Sequence, residues 1–148
     1  MTSTKKPAFN EKFDSFDSFV CEGDTVSVEI DSIEYTARVE YDQDSKIDDD
    51  DCHNVDQAVT GCNDEQQAKL LAAREGWFSN EWFYCGVVIG ASKGGIEIDN
   101  HAASLWRIEA NYPGSDNSYL LEVANDLLGE AIINTENQLI EMIDTLQS

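Results

Sequence analysis

The sequence predicts an α+β fold: an antiparallel sheet of four to five strands, with a short helix and a long C-terminal helix packed on it. Three observations carry that prediction. Thr25–Ile30 and Ile33–Tyr41 both alternate apolar and polar residues and are separated by two residues, which is the pattern of a half-buried β-hairpin. Glu81–Ala91 is the most apolar run of the chain and suits a central strand buried on both faces. From Ser118 the apolar residues change to a helical period, with Leu120, Ala124, Leu127 and Ala131 on one line and Leu128, Ile132, Leu139, Ile143 and Leu146 extending the stripe.

Taken in order, residues 1–20 form a loose arm ahead of a single acidic domain over residues 21–148. The arm holds Lys5, Lys6 and Lys12 and repeats Asp-Ser-Phe at Asp14–Phe16 and Asp17–Phe19, so ordering is expected near Phe16 or Phe19. Glu22-Gly23-Asp24 turns into the first strand, and Asp31-Ser32 makes the tight turn of the hairpin. From Asp42 to about Asn63 periodicity disappears and Asp, Asn, Gln, Ser and Gly dominate, as expected of a long surface loop. Asp64–Arg74 is rich in helix formers with acids at its start, capped by Asn63 or Asp64 and ended by Gly76. After the core strand, Lys93-Gly94-Gly95 turns the chain and Ile96–Asp99 returns as a strand. Asp99-Asn100-His101 reads as a turn, and Ser104–Ala110 reads equally as a further strand or a short helix. Tyr112–Asp116 breaks the pattern before the C-terminal helix, which Gly129 weakens or Asn134-Thr135 bends.

Charge is the unusual quantity. Thirty acids against nine bases leave −21 on 148 residues, far beyond the magnitude of roughly 2–8 that keeps a small domain soluble. A surface this acidic repels nucleic acids and anionic membranes and attracts basic partners. The acidity of proteins from high-salt organisms is the plain alternative, but that kind of charge is evenly spread and this is not. Seven carboxylates fall in the twelve residues Glu40–Asp51, opposed only by Lys46, and beyond Pro113-Gly114 there are seven acids and no Lys or Arg. Within that last region Glu122, Asp126 and Glu130 stand at i, i+4 and i+8, a spacing of like charges that weakens a helix. No run approaches 18 apolar residues and the N-terminus has no apolar signal segment, which predicts a cytoplasmic protein that neither spans nor binds a membrane. In that setting Cys21, Cys52, Cys62 and Cys85 read as reduced thiols.

Metal and catalytic readings are weak. Asp48–Asp51 adjoins Cys52-His53, but there is no Cys-x-x-Cys pair and no second His at zinc spacing. A calcium loop starting at Asp42 would place Ile47 where Gly is needed and His53 where the bidentate Glu is needed. No metal or other cofactor is therefore expected. His53 or His101 with a cysteine could form a nucleophile pair, which keeps a Cys/His-assisted enzyme or metal protein as the third reading. No phosphate loop, nucleophile elbow or dinucleotide fingerprint is present, so no enzyme is predicted.

Duplex DNA carries one negative charge per ~1.7 Å of axis, and a helix with acids at i and i+4 shows one every ~6 Å. Several such lines beside a carboxylate-rich loop approximate a phosphate array. The expected partner-binding residues are therefore Glu40, Tyr41, Asp42, Asp44, Asp48, Asp49, Asp50 and Asp51 of the loop, and Glu122, Asp126 and Glu130 of the helix. Mimicry requires loop and helix to share one face. Tyr41 and Tyr112 are the expected aromatic contacts, whereas Trp77, Trp82 and Trp106 are expected in the core.

The runs Asp48–Asp56 (Asp-Asp-Asp-Asp-Cys-His-Asn-Val-Asp), Glu81–Val88 (Glu-Trp-Phe-Tyr-Cys-Gly-Val-Val), His101–Trp106 and Tyr112–Leu120 resemble a group of small acidic proteins encoded by bacteriophages and mobile elements. The resemblance covers residues 22–130. That group has no assigned activity, so no residue role is carried over. The resemblance implies a phage or mobile-element origin, and hence a non-enzymatic anti-defence protein of the anti-CRISPR or anti-restriction type that blocks a basic groove on a host nucleic-acid-binding complex. The second reading is an acidic module that recruits a basic host or phage protein without mimicking DNA. The apolar helix stripe leaves a homodimer open.

Overall fold

The computed structural model describes residues 13–16, 19–47 and 64–147. The elements run β1 (Thr25–Ile30), β2 (Ile33–Tyr41), α1 (Asp64–Phe78), β3 (Phe83–Lys93), β4 (Ile96–Ala110) and α2 (Ser118–Gln147). The strands form one antiparallel sheet in the order β1-β2-β3-β4. This is the predicted α+β architecture with four strands.

Both hairpins close on two residues held at positive φ. Ile30 pairs with Ile33 around Asp31 (φ 53°) and Ser32 (φ 68°). Lys93 pairs with Ile96 around Gly94 (φ 58°) and Gly95 (φ 81°). Mirror-image turns of this kind match the twist of the flanking strands; glycine accepts them freely, and Ser32 does so at a cost.

β4 differs from expectation. Ile96–Asp99 and Ser104–Ala110 belong to one 15-residue strand, and His101 lies inside it rather than in a turn. The strict alternation that identifies a strand fails because the β3–β4 register shifts between Cys85 and Val87, between Ile89 and Ala91, and between Ala91 and Ser92. β4 gains one extra residue at the first and third of these shifts and two at the second, and each single insertion throws the apolar pattern out of phase.

α1 also departs from its predicted end. It continues through Gly76 to Phe78, and Asn80 at φ 61° stops it. The Glu81 N–H donates to the Gly76 carbonyl at 2.8 Å and the Asn80 N–H to the Trp77 carbonyl at 3.1 Å, the paired bonds of a Schellman cap. Gly76 is needed for packing instead: a Cβ there would sit 3.2 Å from the Trp82 ring.

The main core lies between α2 and one face of the sheet. Tyr35, Ala37 and Val39 of β2 and Cys85, Val87 and Ile89 of β3 alternate onto that face and meet Leu120, Ala124, Leu128 and Ala131 of α2 in one buried cluster. The described residues ahead of β1 pack against α2 and the end of β4. Phe13 is buried and its N–H donates to Asn125 Oδ1 of α2 at 3.0 Å, while Phe19 is exposed. Val20 is fixed through both backbone groups by the amide of Asn111, which in turn exchanges hydrogen bonds with the buried Asn117.

A smaller cluster occupies one end of the opposite face, the far face. Trp82 and Tyr84 alternate away from Cys85 and pack with Ile47, Trp77 and Tyr112. The Trp82 indole N–H donates to the Ala73 carbonyl at 2.6 Å, which ties α1 to this end of the sheet. Elsewhere, among the described residues, no helix lies over the far face.

Candidate functional site

β2 delivers the first predicted contact residues, and pleating separates them. Arg38 and Glu40 alternate onto the far face and form an ion pair. Tyr41 projects the other way at the sheet's end, is 44% exposed and stacks on Phe83 at a centroid distance of 6.0 Å. The chain then turns sharply at Asp42.

Asp42 is not the surface carboxylate its sequence context predicts; it is buried. Its side chain accepts from the N–H groups of Asp44 (3.0 Å) and Ser45 (3.2 Å), from Ser45 Oγ (2.8 Å), and from the N–H of Arg107 across the molecule (3.0 Å). Burial pushes the carboxyl pKa up, but these four hydrogen bonds to the charged form outweigh it and leave the pKa below the ordinary carboxylate value. Asp42 is therefore a structural clamp engaged by its neighbours at the base of the cleft.

The bulge in β4 completes the site. Arg107 adopts φ 61°, which turns its N–H to Asp42, and its guanidinium lies 5.6 Å above the Tyr84 ring. Trp106, expected in the core, is 39% exposed. Its indole lies across Gly86, where an added Cβ would come within 2.3 Å of the ring. Its N–H donates to Ser104 Oγ at 3.2 Å, and the same hydroxyl is 2.8 Å from His101 Nε2. Tyr41, Gln43, Asp44, Ser45, Trp106 and Arg107 surround a cleft of about 490 Å³ with Asp42 at its base. Asp44 is exposed at its rim. Tyr112, the other expected aromatic contact, instead packs edge-on against Trp82 at 4.9 Å.

The far face also collects acids from three strands. Glu29 and Glu34 are directly paired, Glu34 is opposite Ser92, and Ser92 is opposite Glu97. With strands ~4.8 Å apart, these carboxylates form a row at the hairpin end of the sheet. Glu40 and Asp44 lie at the other end, six and more residues along, or ~20 Å at ~3.3 Å per residue. Between them on the far face lie Thr36 and Arg38 of β2 and Gly90 of β3, and the Trp106 ring lies over Gly86 beside Ser104. Glu29 facing Glu34 was readable from the two-residue turn between them; the exposure of Trp106 was not, because the bulge sets it.

The helix acids lie elsewhere. Glu122, Asp126 and Glu130 are exposed, on the side of α2 away from the sheet, while Glu40 projects from the sheet face that α2 does not cover. Glu40 and the three helix acids therefore point in opposite directions. Asp48, Asp49, Asp50 and Asp51, with Cys52, His53 and Cys62, lie outside the described residues.

Among the described residues, no three His, Cys, Asp or Glu side chains are grouped to hold a metal ion, and no helix is long and apolar enough to cross a membrane. Cys85 is buried, and burial followed by the Asp42 charge pushes its thiol pKa up to about 12. It carries no thiolate near neutral pH. No family model, curated protein or solved structure matches the chain.

Proposed function

We propose that this protein is a non-enzymatic binding module whose far sheet face docks on a basic surface of a nucleic-acid-binding protein. The observation that carries the reading is a sheet face over which, among the described residues, no helix lies beyond the Trp82 end, with acids at both ends and Trp106 exposed at the cleft. Interface energy concentrates in buried aromatic anchors ringed by weaker charge contacts, and Trp106 on this face near Asp44, with Tyr41 lining the same cleft from the sheet's other side, supplies that combination. The acids set the sign of the partner and accelerate encounter. The anti-CRISPR or anti-restriction role implied by the resemblance follows if the partner's surface is its nucleic-acid groove. Anchored docking is better supported than phosphate mimicry, because the far-face charges form two groups about 20 Å apart and the helix acids face away from both.

Capture from bacterial lysate, with and without competing duplex DNA, tests this reading. DNA should release the captured protein if its nucleic-acid groove is occupied. With the captured partner, Trp106→Ala or Tyr41→Ala should weaken binding at least ~10-fold, the scale of an interface anchor. Asp44→Asn should mainly flatten the salt dependence. A partner that binds wild type and both aromatic variants equally sinks the cleft as the contact, and one that holds DNA and this protein together sinks groove occupation.

A further inference from the structure

The opposite side of the molecule carries a second surface that the far face does not use. At ~100° per residue, the apolar positions of α2 between Ala131 and Leu146 spread over about 200°, roughly twice the stripe with which a surface helix meets its core. The sheet accounts for only part of that arc. Thr135 is the last buried residue of the helix, whereas Ile133, Ile140 and Ile143 are 55%, 58% and 50% exposed. Those three isoleucines fall on one outward strip, and Gly129 continues it toward the N-terminus one turn before Ile133.

Gly129 is unfavourable in a helix interior, and among the described residues no atom beyond its own helix turn lies within 4 Å of the place its Cβ would take. No packing contact of the described residues requires glycine there. A missing side chain on an outward strip lets another backbone approach closely. At the same ~100° spacing Glu136 falls on the strip between Ile140 and Ile143 and Glu122 stands in line with Ile140 nearer the N-terminus, Asp126, Glu130 and Asp144 flank the strip on one side, and α2 holds no Lys or Arg.

We propose that this outward strip of α2 is a docking seam for a basic amphipathic helix of another protein, its apolar residues seated on Ile133, Ile140 and Ile143 beside Gly129 and its Lys or Arg residues paired with the flanking acids. Charge complementarity selects this occupant over a second copy. Two copies of α2 would bring six carboxylates each into one interface with no base on either helix, within chains of net charge −21. The seam is independent of the cleft.

The test uses the full chain and a fluorescein-labelled 21-residue peptide of three heptads, with Leu at the two core positions and Lys at most of the others. A peptide of identical composition with its Leu residues scattered around the helix is the control. Anisotropy at physiological salt should show the amphipathic peptide binding at least ~10-fold tighter than the scattered one, because the isoleucines require an apolar stripe. Ile133→Ser/Ile140→Ser should remove that advantage, and Trp106→Ala should leave it intact. Gly129→Ala should raise Tm by a few degrees, as expected for an exposed helix glycine, while weakening the peptide several-fold. Both isoleucine sites are exposed, so circular dichroism should show the variant folded. Equal binding of the two peptides, unchanged binding by the folded isoleucine variant, or loss of binding on Trp106→Ala overturns the seam. So does sedimentation showing a dimer of the free protein that Ile140→Ser dissociates, which would make a second copy the occupant.

Discussion

Asp42 accepts hydrogen bonds from its own turn and from Arg107, 65 residues away, so one carboxylate holds the end of β2 against the bulge of β4. Removing it would strand the Arg107, Asp44 and Ser45 donors at a partly buried position. Asp42→Ala should therefore cost ~1–3 kcal/mol in urea denaturation at pH 7. The pH dependence has a definite sign. The folded-state pKa of Asp42 is depressed, so its contribution is fully present above the unfolded value near ~4 and is lost as pH falls through the folded value. The stability gap between wild type and Asp42→Ala should accordingly narrow below pH ~4. A gap that stays constant down to pH ~2 would show that the carboxylate's charge is not what these donors require. Tyr35 illustrates the opposite direction. Burial first, then the carboxylates of Glu136 and Asp31, push its phenol up to about 12, so it remains neutral through the physiological range.

At the scale of elements, the two hairpins solve the same geometric problem with different residues. Gly94-Gly95 adopts positive φ without penalty, whereas Asp31-Ser32 places a serine at φ 68°. Ser32→Gly should relieve left-handed strain worth ~1–2 kcal/mol and give back part of it through the greater freedom of the unfolded chain. A net stabilisation of ~0.5–1 kcal/mol is expected from thermal or urea melts. A neutral or destabilising result would mean that the serine hydroxyl holds the turn in a way its backbone does not reveal. The same scale explains the two misread boundaries. Gly76 has the composition of a helix terminus but serves packing against Trp82, and the stop falls four residues later at Asn80, where the left-handed conformation closes the Schellman bonds. β4 read as two pieces because periodicity detects only an unbroken alternation, and its bulges interrupt that alternation while the strand itself continues.

For the whole molecule, the dominant quantity is −21 on one small fold. Glu29 directly opposite Glu34 is an unfavourable cross-strand pair, and the base-free α2 adds a second region of repulsion. Screening should therefore stabilise the protein. Raising NaCl from about 0.01 M to about 0.5 M shortens the Debye length from ~30 Å to below ~8 Å, and calorimetry should show Tm rising by several degrees. A Tm independent of salt would show that the fold already spaces its carboxylates beyond mutual influence.

Periodicity and turn chemistry in the sequence by themselves determined β1, β2, the core strand β3 and a long helix packed on an antiparallel sheet, because local alternation and helical spacing express which side of each segment must leave water. Charge density likewise determined that the molecule carries a strongly acidic surface. Only the tertiary structure decided which charges act together. A strand assigns its residues to alternate faces, but the face that α2 covers is set by packing between distant segments. That choice put Glu122, Asp126 and Glu130 on one side of the molecule and Glu40 on the other, drew Asp42 inside, and brought Trp106 out over Gly86 through a bulge that no local pattern announces.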